Sequence, residues 1–207
     1  MKNVHELLGY DFIKIIQDDD MFSFSVDSML LADFINPTFK TKNIVDLCTG
    51  NAPIPLFLTL KTNAKIVGVE IQKDVYDMAI ESVKLNHFED QITIINNDLK
   101  GIYKTLGANS FDIVSCNPPY FKYLETSNVN KNDYLTIARH EVMATLDDIT
   151  LEAKRLLNDG GYFYLVHRCD RLFDIMDSCT KNNLAIPRKN PCQRHGNLPH
   201  QHISWPA

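Results

Sequence analysis

Asn117, Pro118, Pro119 and Tyr120 follow an apolar run from Phe111 to Cys116, and residues of those types in that order can carry out one specific chemistry. An amine on a heteroaromatic base, or the nitrogen of a carboxamide, delocalises its lone pair and is a poor nucleophile. Hydrogen bonds from its N–H groups to the Asn117 side-chain oxygen and the Pro118 carbonyl would localise that lone pair, while Tyr120 stacks on a planar base. Two consecutive prolines hold φ at about −65° and donate no hydrogen bond, so the strand must end there in a stiff, extended turn. No metal is required. A plain Pro-Pro turn after a strand would look the same by itself, so the surrounding elements must decide.

Those elements read as an α/β domain. Asn43 to Cys48, Lys65 to Ile71, Ile92 to Asn96, Phe111 to Cys116 and Tyr162 to His167 are short runs rich in Val, Ile, Leu and Phe, with helical stretches between them. The alternation predicts an open, mostly parallel sheet with right-handed crossovers and helices on both faces. In such a sheet ligands bind outside the carboxyl ends of the strands. Asp46, Glu70, Asp98 and Asn117, at or just past four strand ends, are therefore expected along one edge, sharing a pocket.

The first strand leads through Asp46-Leu47-Cys48-Thr49-Gly50-Asn51-Ala52 into a helix near Pro53, a proline placed where a first turn tolerates one. Strand, small-residue turn and helix bring backbone N–H groups close to a ligand. With Gly50 as its only glycine the turn would serve a pyrophosphate poorly; an amino-acid carboxylate or a nucleoside asks for less room. Glu70 sits where an acid on a second strand commonly accepts from ribose hydroxyls, with Ile71 beside it. Asp98 could accept from an adenine amino group while Leu99 packs on the ring. Further upstream, Tyr10 to Gln17 and Met21 to Ser25 read as a hairpin across Asp18-Asp19-Asp20. Asp27 reads as the N-cap of a short helix ended by Asn36-Pro37; a functional reading places Phe24, Ser25 and Asp27 against a cofactor. Asp74 is expected to cap the helix after the second strand, and a helix is expected from Asp147 to Leu157.

Bulk properties narrow the partners. A chain of 207 residues, 44% hydrophobic, can bury one core. Five cysteines without a C-x-x-C pair are cytoplasmic usage and not a disulfide framework. No apolar run approaches the length of a membrane span. The net charge of −5 divides into −8 over residues 1–160 and +3 over 161–207, so a polyanion would meet a local patch, with Arg168, Arg171, Lys181, Arg188 and Lys189 as candidates. A solvated helix face explains the same lysines and arginines equally well. Residues 121–134 read as a loop, followed by Ala138-Arg139-His140-Glu141.

The organisation expected is a hairpin over residues 1–25, a catalytic domain over 26–185 and an atypical tail over 186–207. Pro187, Pro191, Pro199 and Pro206 interrupt that tail, no strand pattern survives in it, and truncation or a change of reading frame explains it better than a native fold. Its Cys192, His195, His200 and His202 match no standard zinc spacing, so no metal is expected.

With these residues in place the chain resembles a known family, the bacterial S-adenosylmethionine-dependent adenine-N6 methyltransferases that modify the adenine 3′ of the valine-tRNA anticodon. The likeness covers about residues 5–185. It rests on Phe22 to Ala32, Asp46 to Asn51, Gly68 to Gln72, Asn117 to Lys122, Ala138 to Glu141 and Val166 to Arg168; Asn-Pro-Pro-Tyr itself fits the [DNS]-P-P-[YFW] signature of amino-methyltransferases. The resemblance implies a Rossmann-like class I methyltransferase fold with S-adenosylmethionine as cofactor. It implies cofactor contacts from Ser25, Asp27, Asp46, Thr49, Gly50, Asn51, Glu70, Ile71, Asp98, Leu99 and Asn117, and catalysis by Asn117, Pro118 and Tyr120. Contacts to the tRNA anticodon loop would come from Tyr120, Phe121, Lys122, Arg139, His140, Arg168 and Arg171. Two departures stand out: Cys48 and Ala52 occupy positions where many methyltransferases have glycine, and residues 186–207 do not look like the antiparallel hairpin of strands six and seven that ends the family's sheet. Alternatives left open are methylation of ribosomal-RNA guanine N2, of DNA adenine or of a release-factor glutamine, and a non-catalytic cofactor-binding module.

Overall fold

The computed structural model describes residues 2–7, 10–18, 26–118, 144–185, 192–194 and 200–206. Two antiparallel strands, β1 (Lys2–Leu7) and β2 (Tyr10–Asp18), form a separate hairpin, and α1 (Val26–Phe34) follows. Then come β3 (Asn43–Leu47), α2 (Pro53–Leu58), β4 (Lys65–Glu70), α3 (Lys73–Leu85), β5 (Ile92–Asn96), α4 (Tyr103–Leu106) and β6 (Phe111–Cys116). After them lie α5 (Leu146–Leu156), β7 (Leu157–Arg168), a single 3-10 turn, α6 (Leu172–Lys181), β8 (Cys192–Arg194) and β9 (His200–Pro206). β3 to β7 are parallel, and the sheet order is β5-β4-β3-β6-β7-β9-β8. The order reverses direction at β3 and β6, so the crevice of this doubly wound sheet opens between those two strands.

Both faces of the sheet are buried, which is why its strands are near-continuous apolar runs. Ile44, Ile66, Ile94, Ile113 and Tyr164 pack against α1, α2, α3 and the hairpin. Val45, Leu47, Val114, Phe163 and Leu165, one position out of phase, pack against α5 and α6. At the amino edge Asp112, near the start of β6, ties three strands together. Its Oδ2 accepts from the backbone N–H groups of Lys42 (2.7 Å) and Asn43 (3.0 Å), and its Oδ1 from Asn158 Nδ2 at 2.7 Å.

Several sequence expectations change. β2 pairs with β1, and the expected partner Met21 to Ser25 lies outside the described residues. β1 escapes a pattern search because most of its residues are exposed, so no apolar alternation marks it. β2 is docked on α3 by polar side chains: Ser82 Oγ accepts from Ile16 N–H at 2.9 Å, and the Asn86 amide bridges both backbone groups of Lys14. α1 starts at Val26, so Asp27 is inside the first turn and not its N-cap. α3 is preceded by Gln72, whose backbone N–H is claimed by Glu70, so Asp74 is a first-turn acid favouring the helix dipole and not a cap. α5 begins one residue early behind Thr145, which forms a capping box with Asp148.

The largest correction concerns the tail. Instead of missing its last two strands, the sheet ends in β9 antiparallel to β7, from His200 opposite Arg168 to Pro206 opposite Tyr162, and β8 antiparallel to β9. The unpaired backbone groups along the edge of β7 template this pairing. Pro206 is accommodated at the last rung, opposite Tyr162, while Pro187, Pro191 and Pro199 lie outside the described residues. Ending the chain after Ala185 is expected to lower the melting temperature and raise light scattering on heating. An unchanged melting curve would mean that β9 contributes nothing.

Candidate active site

Asp46 in β3, Gly68 in β4 and Ser115 in β6 sit in register across three adjacent strands, on the face that carries α1 to α3. The absent side chain of Gly68 leaves a gap that Thr49 fills from above: a Cβ there would lie 2.9 Å from both Thr49 Oγ1 and Cγ2 and 2.8 Å from Ile94 Cδ1. Thr49 Oγ1 donates to Asp46 Oδ2 at 2.7 Å and Ser115 Oγ donates to Oδ1 at 2.6 Å. Asp46 has no exposed surface. Burial pushes its carboxyl up to about 7, against the pull of the two hydroxyls, and nearby Glu70 adds to the rise. Asp46, expected among the cofactor contacts, anchors the turn from beneath through these two bonds.

That turn runs from Cys48 to Ala52 and reverses the chain through three residues with positive φ: Cys48 (56°), Gly50 (60°) and Ala52 (71°). Only the middle one is a glycine, so the two positions noted as departures in the sequence are left-handed backbone held by neighbours. Thr49 N–H donates to the Val69 carbonyl at 3.0 Å and Ala52 N–H to the Thr49 carbonyl at 3.1 Å. Asn51, 4% exposed, donates through Nδ2 to the Ile16 carbonyl of β2 at 2.8 Å, so the hairpin braces the turn from outside.

Glu70 closes the other side. Its Oε2 accepts from Gly50 N–H at 3.0 Å and its Oε1 from Gln72 N–H at 2.8 Å. Burial raises its carboxyl above the ordinary range, against the pull of backbone N–H groups of Gln72, Gly50 and Ile71. Backbone N–H groups thus take most of its roughly four acceptor positions and leave room for a ligand hydroxyl. Asn96, at the end of β5, donates to the carbonyls of Glu70 (2.8 Å) and Ile71 (3.0 Å) and locks this strand end. Asp98 is half-buried beyond β5, its Oδ1 accepting from Lys100 N–H at 2.9 Å, while Leu99 is a core residue packed among Val69, Ile102 and Val114. Asp27 is buried in the first turn of α1.

Asn117, half-buried, leaves β6 on the strand next to the turn, and its Nδ2 donates to Ser28 Oγ of α1 at 2.8 Å. Pro118 is buried beside it. Cys116 lies against Cys48 below, and burial together with that neighbour pushes its thiol well above the usual range. The expected residues Asp46, Thr49, Gly50, Asn51, Glu70, Ile71, Asp98 and Asn117 are thus brought to one sheet edge. Arg168 ends β7 and Arg171 follows it on the same edge, where Arg168 grips Asp170 through Nη2 (2.8 Å) and Nε (3.1 Å), and Arg171 Nε donates to Asp174 at 2.6 Å. Lys181 is bonded to Asp147. Ser25, Pro119, Tyr120, Phe121, Lys122, Arg139, His140, Arg188 and Lys189 lie outside the described residues.

Ser115, Gly68, Asn96 and Ser28 were not singled out in the sequence. Ser115 carried a usable signal, since a hydroxyl inside a buried strand requires a partner; Ser28, inside an apolar helix, carried a weaker one.

A doubly wound sheet with an acid-anchored turn and an amide on the adjoining strand end defines a nucleoside-binding α/β domain. The sequence profile of the family described as "Methyltransferase small domain" matches residues 13–176, and the chain belongs to that family. It is 28% identical over 161 residues to the tRNA1(Val) (adenine(37)-N6)-methyltransferase of Phocaeicola vulgatus, covering 77% of this chain and 65% of that protein. It is also 28% identical over 172 residues to the release factor glutamine methyltransferase of Francisella tularensis, covering 78% of this chain and 58% of that one. The chain thus spans less than two thirds of the length of these relatives. The fold is shared with a SAM dependent methyltransferase from Aquifex aeolicus, with a TM-score of 0.62 at 11% identity over 90% of each chain.

Two predictions test this construction. Gly68→Ala is expected to destabilise the protein by about 1 to 3 kcal/mol through overpacking and to weaken ligand binding at the turn by displacing Thr49; denaturant midpoints and cofactor titration read both. Asp46, with its folded pKa near 7 above the ordinary 3.8, releases its proton later in the folded than in the unfolded state. Stability from this group is therefore greatest at low pH and lost as pH rises from about 4 to about 7. Asp46→Asn should remove that slope, so the stability difference shifts toward the variant across this window in chemical denaturation.

Proposed function

We propose that this chain transfers a methyl group from S-adenosylmethionine to the exocyclic N6 of an adenine in tRNA, the adenine 3′ of the valine anticodon. The observation that carries this reading is the placement of Asn117. Its side-chain amide stands on the strand end adjoining the Cys48–Ala52 turn and the Glu70 carboxylate, where an acceptor can meet an amine beside a bound nucleoside. The names of the relatives at 25% to 30% identity support the substrate.

The residues fit the cofactor. Glu70 has room to accept from a ribose hydroxyl, Asp98 lies beyond β5 for an adenine amino group, and the strained turn offers a close approach to backbone. When bound, the cofactor supplies an electrophilic methyl group on a sulfonium. The protein's own part is positioning and field: Asn117 Oδ1 and the Pro118 carbonyl accept from the amine, concentrate its lone pair and hold it in line. The adenine, turned out of the loop, would stack on Tyr120, and Arg168 and Arg171 would exchange their aspartate partners for RNA phosphates. Such a reaction belongs in the cytoplasm.

A second reading, methylation of a release-factor glutamine, follows from the Francisella tularensis relative, because a carboxamide nitrogen poses the same problem to the same acceptors. Incubating the protein and cofactor with unmodified valine tRNA, and separately with a release factor, distinguishes them. N6-methyladenosine in the nucleoside digest is expected, with no label on the release factor; the reverse outcome establishes the second reading. Asn117→Ala is expected to retain cofactor affinity within about twofold and lose transfer by at least roughly a hundredfold, as for removal of one preorganised polar group. Equal losses in calorimetry and in a radiolabel assay would remove Asn117 from the chemistry.

A further inference from the structure

We propose that Cys48 and Cys116 form a reversible disulfide that closes the nucleoside site to its cofactor. Leu47 and Cys116 are Cα partners across β3 and β6, and Cys48 is the next residue along. A strand spacing of about 4.8 Å and one residue step of about 3.8 Å put the two Cα atoms roughly 6 Å apart, within the roughly 4.4 to 6.8 Å that a disulfide spans. Cys48 packs on the buried cluster that contains Cys116, so the side chains meet as well as the backbones. The pair joins the two halves of the site, since Cys48 opens the left-handed turn and Cys116 directly precedes Asn117.

The two thiols differ in access. Cys48 is partly exposed, and Cys116 has no exposed surface. Burial, with the Cys48 thiol beside it, keeps the Cys116 proton in place, so Cys48 is the sulfur that meets an outside reagent. A low-molecular-weight disulfide such as glutathione disulfide suffices as oxidant. The Cys48 sulfur attacks one of its sulfurs, the S–S bond breaks, and the first thiol leaves with the Cys48 proton. The Cys116 sulfur then attacks the Cys48 sulfur of the mixed disulfide, and the second thiol leaves with the Cys116 proton. The cysteine pair has lost two electrons and two protons, and one disulfide has become two thiols. A bond between the sulfurs pulls Cys48 towards β6, and the same movement shifts Thr49 and Gly50, whose N–H groups bond Val69 and Glu70. The distortion therefore falls on the cofactor's cradle.

Peptide mapping after treatment with glutathione disulfide, together with titration of S-adenosylmethionine, tests this on the full chain. A peptide holding Cys48 linked to one holding Cys116 is expected, and dithiothreitol should release it. Cofactor affinity is expected to fall by at least roughly tenfold in the oxidised protein, within the ordinary range of coupling between two sites. By reciprocity, saturating cofactor should raise the midpoint potential of the pair in a glutathione titration by about 30 mV for each tenfold. In Cys116→Ser the linked peptide should be missing, and Cys48 should stop at the mixed disulfide with glutathione. Four outcomes with the wild-type chain each overturn the proposal: a Cys48 mixed disulfide beside a free Cys116, a link to another cysteine, a cofactor affinity within about twofold of the reduced protein's, or an oxidised form with no melting transition. None of these needs a variant to fold. The titrations contain no RNA, so wild-type protein that binds cofactor and methylates no tRNA removes the substrate reading and leaves this one standing.

Discussion

A buried carboxylate with two hydroxyl donors supports everything above the sheet edge. Asp46 is taken out of water at the centre of the sheet, where an unsatisfied acceptor would be costly. Thr49 and Ser115 each satisfy one of its oxygens, and in doing so they join β3 to the turn above it and to β6 beside it. The same group thus links the element that would receive a nucleoside to the strand that delivers Asn117. The missing Cβ of Gly68 is the steric condition for that link, since Thr49 occupies the space it leaves.

The turn carries strain that the rest of the structure offsets. Left-handed backbone at a non-glycine residue costs about 1 to 2 kcal/mol, and the chain accepts it at both Cys48 and Ala52. The compensating bonds come from three directions: Val69 in the sheet, Glu70 across the crevice and Ile16 in the hairpin. The hairpin is for this reason part of the site's scaffold and not an appendage. Strain held by several independent partners keeps the backbone in one shape, and a preformed cradle loses less order when a ligand arrives.

Charge at the rim follows the opposite logic. Arg168, Arg171 and Lys181 are each matched by a nearby carboxylate, so this surface is locally balanced despite its excess of basic residues. Exposed pairs of this kind are weak, so a competing group can replace an aspartate at little cost. The arrangement favours selective engagement by a shaped partner over indiscriminate attraction of polyanions.

The five parallel strands and their polar ends were legible because each leaves a local mark: apolar runs of strand length and acids at fixed places. The α1 and α3 caps were misplaced because a side chain able to cap marks a helix start only to within a residue or two, and both helices begin before it. β1, in its two-stranded hairpin, and β9, between β7 and β8, escaped because pairing needs only a partner's free backbone groups and little apolar alternation. By itself the sequence determined the class of fold and which side chains reach the carboxyl edge, since periodicity and strand order dictate both. Only the tertiary structure decided that Asp46 is an anchor beneath the site, that the hairpin braces the turn and that Ser28 meets Asn117. These depend on contacts between residues 35 to 89 positions apart along the chain, which no local pattern encodes.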